Sequence, residues 1–292
     1  MIFLILIFFS LIPVAFFTLM ERRVLGNFHI RLGPMIVGFG GFFQPFSDVI
    51  KLFSKSEDVL RFLNNFYWFF SSFLSLLLYL YILLVFPLGG GEFFLDNIYL
   101  IIICFLRFRV YFLIYGGFHS GRKYSLIGSY RSVVQMISYE IVLMFIFVSY
   151  FYLVGRWNLS FKIFEYENFR VIFILPFFFI WGLVILVERN RLPYDFLEGE
   201  SELVSGFNTE YWGGYFSFFF IYEYGSILLF SILIRYFLFR GIFSFFIFII
   251  FIYFFLWIRS TVPRFRYDFL MDLVWKKILF LVIGILFYFV YL

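Results

Sequence analysis

Long uninterrupted apolar runs dominate what this chain can become. Residues 2–20 carry no charge, and Glu21-Arg22-Arg23 ends the run at an interface. A helix of about that length crosses the roughly 30 Å hydrocarbon core of a bilayer. Comparable runs recur at about residues 66–87, 98–118, 133–154, 170–187, 215–236, 241–258 and 275–292. Backbone groups in lipid must find their hydrogen bonds within the protein, which favours helices for such runs. The expectation is an all-α integral membrane protein: one membrane domain over residues 1–292 with about eight transmembrane helices. Composition agrees, since 14% of residues are charged against roughly 25% in globular proteins. The last run is the weakest, because its uncharged part, residues 278–292, is short for a span. The first run lacks a basic leader and a small-residue cleavage site, so it reads as a retained helix rather than a signal peptide.

Charge then orients the spans. Sixteen of the 23 Lys and Arg residues fall in the connections after spans one, three, five and seven, counting Lys276 and Lys277 at the edge of the last run. By the positive-inside rule those connections face the cytoplasm or the equivalent matrix. The three longest connections lie on that same face, so one side is elaborated for a partner. Within the first of them, Phe46, Val49, Ile50 and Phe53 recur at helical spacing, with Ser47, Asp48, Lys51, Ser54 and Lys55 on the other side. Pro45 suits the first helical position. This is a short amphipathic helix, either lying in the membrane interface or packed as an ordinary surface helix.

Acidic residues concentrate in the connection 188–214, which holds Glu188, Asp195, Glu198, Glu200, Glu202 and Glu210, six of the chain's 18. Carboxylates crowded against a span are costly, and they titrate as a coupled set. Two readings stand: a loop that handles protons or a ligand, and a solvated acidic connection. Span four contains Glu140 and span six contains Glu223, while Arg107 and Arg109 sit near the middle of span three. Intramembrane charges need partners or a polar cavity, and no sequence pattern names one for the arginines. Late in the chain, Arg259, Arg264, Arg266, Lys276 and Lys277 suit either lipid headgroups or pairing with the acidic connection.

One Cys (Cys104) and two His (His29, His119) make an iron–sulfur cluster or a bis-His haem on this chain implausible, since a cluster usually needs four thiolates. There is no dinucleotide fingerprint and no phosphate-binding loop. Electrons for any redox reaction therefore come from another subunit.

Four runs together resemble one family. They are ERRVLGNFHIRLGPMIVGFGGFFQPFSDVIKLFSK (residues 21–55), YSLIGSYRSVVQMISYE (124–140), ERNRLPYDFLEGESELVSGFNTEYWGGYFSFFFIYEY (188–224) and WIRSTVPRFRYDFLMDLVWK (257–276). They cover just over a third of the chain, in order. They are similar to subunit 1 of NADH:ubiquinone oxidoreductase (complex I), the H subunit in bacteria. EGESELVSGFNTEY and PRFRYD are the most specific; related hydrogenase and F420H2-type membrane subunits share them.

The resemblance implies a subunit of the mitochondrial inner membrane, or of a bacterial plasma membrane, at the junction of the redox and proton-pumping arms. It implies an access tunnel for ubiquinone, with NADH, FMN and iron–sulfur clusters on partner subunits and no cofactor or metal on this chain. The partners would be hydrophilic quinone-site subunits, small membrane subunits and antiporter-like subunits. Arg22 and Arg31 match positions near the quinone path. The amphipathic helix with Phe46, Asp48 and Lys51 would stand beside the entrance, and Phe207 in the tunnel-lining loop. Glu188, Asp195, Glu198, Glu200, Glu202, Glu210, Glu140 and Glu223 match acidic positions leading from the quinone cavity into the membrane. Glu188, Glu140 and Glu223 would relay charge inward. Departures from the family pattern are Arg189, which would pair with Glu188 or another loop acid, Arg107 and Arg109, which would contact a partner or a lipid headgroup, and His29. The competing readings are a homologous hydrogenase-type subunit, a purely structural membrane anchor and a stand-alone transporter. The last predicts an inverted repeat, which the sequence does not display.

Overall fold

The computed structural model describes residues 2–55, 65–85, 98–154, 169–197, 206–211, 213–238 and 243–291. Glu198, Glu200 and Glu202 lie outside the described residues. Among those described, regular structure is helical throughout. Four helices contain stretches long and apolar enough to cross a membrane: Phe66–Leu83, Ile101–His119, Lys123–Ser149 and Gly213–Ile234. Shorter apolar helical stretches accompany them. The chain is an all-helical membrane protein.

A helix occupies each of the eight segments marked by apolar runs. In order they are α1 (Ile2–Phe28), the intervening α2 (Gln44–Ser54), α3 (Asn65–Val85), α4 (Ile98–His119), α5 (Lys123–Val154), α6 (Phe169–Glu188), α7 (Gly213–Leu238) and α8 (Phe243–Thr261). The last segment starts earlier than its apolar run. It comprises α9 (Tyr267–Leu273), one π-helical turn (Val274–Ile278) and α10 (Leu279–Tyr291). Two helices overrun their expected ends. α1 continues past the charged triplet Glu21-Arg22-Arg23 to Phe28, because Glu21 is neutralised inside the fold rather than left at an interface. α5 begins at Lys123, ten residues before the expected 133, and Ser125, Ser129, Ser132 and Gln135 form a buried polar row along it.

α7 is the hub, packed against α1, α2, α3, α6 and α8, while α3, α4 and α5 pack in sequence. Small residues permit these approaches, as is usual where lipid supplies no hydrophobic drive. A methyl group added at Gly225 of α7 would lie 2.2 Å from the Tyr79 ring of α3, and one at Gly117 of α4 would lie 2.0 Å from Oγ of Ser129 on α5. Many helical serines satisfy themselves locally: Ser71, Ser132, Ser149 and Ser231 each donate to the carbonyl three residues back.

α2 resolves its own ambiguity. Phe46, Val49, Ile50 and Phe53 are all exposed, Ile50 by 69%. An ordinary surface helix would bury that face. Toward the fold α2 turns the buried Pro45 and the half-buried Gln44, Asp48 and Leu52, with Asp48 paired to Arg22 of α1 at 2.7 Å, while Ser47, Lys51, Ser54 and Lys55 are exposed as well. The apolar side is left outward, as an interfacial helix requires.

Candidate functional site

The site begins where α6 ends. Arg189 N–H donates to the Ile185 carbonyl and Asn190 N–H to that of Val187. Asn190 then adopts a left-handed conformation (φ 49°), a helix stop that Asn tolerates where Gly is commoner. Ordinarily such an end faces water. Here Glu188, Arg189, Asn190 and Arg191 are all buried, so the neighbouring helices supply the donors. Gln135 of α5 donates from Nε2 to the Val187 carbonyl (2.6 Å) and to that of Tyr194 (3.3 Å). Arg109 of α4 donates from Nη1 to the Glu188 carbonyl. Beyond the turn, Tyr194 stacks on Phe265 with centroids 5.3 Å apart. Phe265 N–H bonds the Pro193 carbonyl and Arg264 the Asp195 carbonyl.

Arg109 is only 2% exposed and turned toward α6, so it is not available to a lipid headgroup or an outside partner. Arg107 is exposed on the same helix. Arg189 does not sit against Glu188 as a contact pair; its guanidinium lies 4.3 Å above the Phe230 ring, a cation–π arrangement suited to a buried cation. Glu188 remains its electrostatic neighbour. Glu140, half-buried on α5, is within electrostatic reach of Glu188, Arg107 and Arg109.

Across the turn, Arg191 pairs with Glu223 of α7 at 2.7 Å, with side chains only 9% and 12% exposed. Its guanidinium also lies 4.6 Å above the Tyr224 ring. The Tyr224 hydroxyl donates to Glu21 of α1 at 2.6 Å, and Glu21 pairs with Arg259 of α8. Arg259 therefore serves α1, not the acidic connection, whereas Arg264 does reach that connection, at a main-chain carbonyl. Arg266 and Lys276 form exposed pairs with Asp268 and Asp272, worth little in stability.

Between these groups lies a small cavity lined by Arg109, Asn190, Phe207, Asn208, Tyr222 and Glu223, among others. It has the room of about one water molecule and is far too small for a quinone ring. Phe207, buried to 1%, forms part of its wall and meets Tyr211 and Phe219 edge to face or tilted, 4.9 and 5.3 Å between centroids. Burial pushes the Tyr211 hydroxyl above its ordinary range, opposed by its hydrogen bond with Ser71. Glu210 ends the short 3₁₀ turn Gly206–Glu210.

The expected site residues thus separate into two groups. Glu188, Glu140, Glu223 and Phe207 converge around the α6 terminus, and Asp195 stands in the loop just beyond it. Arg22 and Asp48 stand together on the α1–α2 side, near the exposed Arg31, Lys51 and Phe46. Glu21, Tyr224 and Arg259 link the groups and were not among the expected site residues, Arg259 having been read as a lipid-headgroup or acidic-connection contact. Glu21 was legible only as one charge in a triplet.

Comparison with known proteins gives the family. The family model described as NADH dehydrogenase matches residues 1–290. The chain belongs to the NADH dehydrogenase family. Chains named NADH-ubiquinone oxidoreductase chain 1 match it at nearly full length. The one from Aedes aegypti is 43% identical over 98% of this chain and 93% of its own. Those from Anopheles gambiae and Locusta migratoria are each 44% identical, over 98% and 99% of this chain and 93% of theirs. As a member of the NADH dehydrogenase family resembling chain 1, it is a membrane subunit of an oxidoreductase complex.

Proposed function

We propose that this chain is the quinone-handling membrane subunit of complex I in the mitochondrial inner membrane. It borders the path by which ubiquinone enters and carries the electrical consequence of its reduction into the membrane. NADH, FMN and iron–sulfur clusters belong to partner subunits in this reading. The hydrophilic partners sit on the matrix side, and small membrane and antiporter-like subunits lie alongside. The near full-length likeness to chain 1 relatives favours it over a hydrogenase-type complex or a stand-alone transporter.

One observation carries the proposal. Charged pairs recur from α2 to α5: Asp48 with Arg22, Glu21 with Arg259 and Tyr224, and Arg191 with Glu223, while Arg109, Glu188 and Glu140 are within electrostatic reach of one another. Negative charge appearing on a quinone at one end acts strongly on such groups, because the interior screens weakly. Arg22, Arg31, Phe46, Asp48, Lys51 and Phe207 are assigned to the quinone path. Glu140, Glu188, Asp195, Glu198, Glu200, Glu202, Glu210 and Glu223 are assigned to proton and charge transfer.

Glu223→Gln tests this in the assembled complex. It leaves Arg191 without its anionic partner. Quinone reduction and proton pumping should both fall while subunit composition stays complete. Normal turnover with a normal proton-to-electron ratio would refute the relay.

A further inference from the structure

The end of α6 raises a question that its own sequence does not answer. The last carbonyls of a helix have no partner within it, and where the end is buried among other helices the protein must supply one. The commonest remedy is a glycine cap in a loop open to solvent. Here the donors are two buried side chains from two other helices, Arg109 of α4 and Gln135 of α5. Between them they hold the Val187, Glu188 and Tyr194 carbonyls. They therefore bracket an eight-residue stretch, 187–194, that contains both Glu188 and Arg191.

Their placement fixes more than the main chain. Arg191 is the ion-pair partner of Glu223, so moving the turn moves that pair. The Arg109 guanidinium sits at a helix C-terminus, where the carbonyl dipoles favour a cation. It also faces the Tyr222 ring at 5.4 Å and lines the same small cavity as Asn190 and Glu223. Both amide atoms of the Asn190 side chain are buried there without a hydrogen-bond partner, so this wall of the cavity owes its form to the clamp and not to Asn190. Neither Arg109 nor Gln135 lies on the α1–α2 side where Arg22 and Asp48 stand.

We infer that Arg109 and Gln135 are positioning residues: a two-armed clamp that sets Glu188 and the Arg191–Glu223 pair in register for charge transfer. The inference rests on the relay reading above and deepens it. A merely structural pair would, when removed, reduce the amount of complex. A positioning pair changes the turnover of the complex that does assemble, without changing how quinone binds.

The test uses intact complex in inner-membrane vesicles, normalised to assembled complex, with Arg109→Met, Arg109→Lys, Gln135→Leu and Glu188→Gln side by side. Arg109→Met and Gln135→Leu should each lower kcat for quinone reduction by about tenfold, the size of change supported by one charge-assisted hydrogen bond at Arg109 or by the two neutral ones at Gln135. KM for quinone should stay within about twofold, because binding energy common to ground and transition states is untouched. Arg109→Lys, which keeps charge and donor, should recover most of kcat. If Arg109→Met assembles too poorly to assay, Gln135→Leu, an uncharged change, carries the same kcat-against-KM test. Unchanged kcat in the clamp variants, with Glu188→Gln impaired, overturns the clamp and leaves the relay standing. A rise in KM with constant kcat also overturns the clamp, in favour of a binding role. A silent Glu188→Gln overturns the relay reading whatever the clamp variants do.

Discussion

Glu21→Gln is the sharpest perturbation that the fold offers outside the α6 terminus. Glu21 is 4% exposed, accepts the Tyr224 hydroxyl at 2.6 Å and pairs with Arg259, whose side chain is 18% exposed. Glutamine keeps the shape and the capacity to accept from Tyr224, but it removes the charge that compensates Arg259. Breaking one partner of a buried pair costs about 3–5 kcal/mol, whereas replacing both with apolar groups is often neutral or stabilising. Tyr224→Phe removes only a hydrogen bond to a charged acceptor, about 1.5–3 kcal/mol, and keeps the ring against Phe17 and Arg191. The expected stability order is wild type, then Tyr224→Phe, then Glu21→Gln, with the double variant Glu21→Leu/Arg259→Leu above Glu21→Gln. The assay is the thermal dissociation midpoint of purified complex at one fixed scan rate. Unfolding of such an assembly is a rate process, so only the order is read. A double variant less stable than Glu21→Gln would refute the pairing.

Two further outcomes follow from packing and exposure. Gly225→Ala should destabilise by about 1–3 kcal/mol, the usual range for overpacking, because its methyl meets the Tyr79 ring; a companion Tyr79→Leu should relieve most of the loss in the same thermal assay. Asp48→Asn should cost less than about 1 kcal/mol, since its pair with Arg22 is 51% and 31% exposed; any larger fall in turnover with long-tailed quinone would report on quinone handling at α2 rather than on folding.

What sequence conveys here follows from range. Apolar runs are local, and the helices fall on them. The amphipathic stripe of α2 is local too, and its exposed face is what separates the interfacial reading from the ordinary one. The errors arise where a distant group changes the meaning of a charge. Glu21 looked like a helix end because its partners, Arg259 and Tyr224, come some 200 residues later (203 for Tyr224). Arg109 had no nameable partner because its partner is a main-chain carbonyl, which every residue possesses and no pattern marks. Arg189 beside Glu188 suggested a pair, yet adjacent residues at a helix end project in different directions, and the guanidinium settles on Phe230 instead.

The buried charge of Arg109 also constrains how the chain is made. Its acceptor lies 79 residues later, so α4 leaves the ribosome well before the end of α6 exists. A cation near the centre of a span costs about 2.5–3.5 kcal/mol on insertion scales, which the Ile, Leu, Phe and Val residues of α4, at about −0.3 to −0.6 kcal/mol each, can cover. Insertion of α4 therefore does not require α6, but the Arg109 guanidinium gains the Glu188 carbonyl only once the two helices meet. The site around Glu188 is completed by helix packing, after the spans it joins have been made.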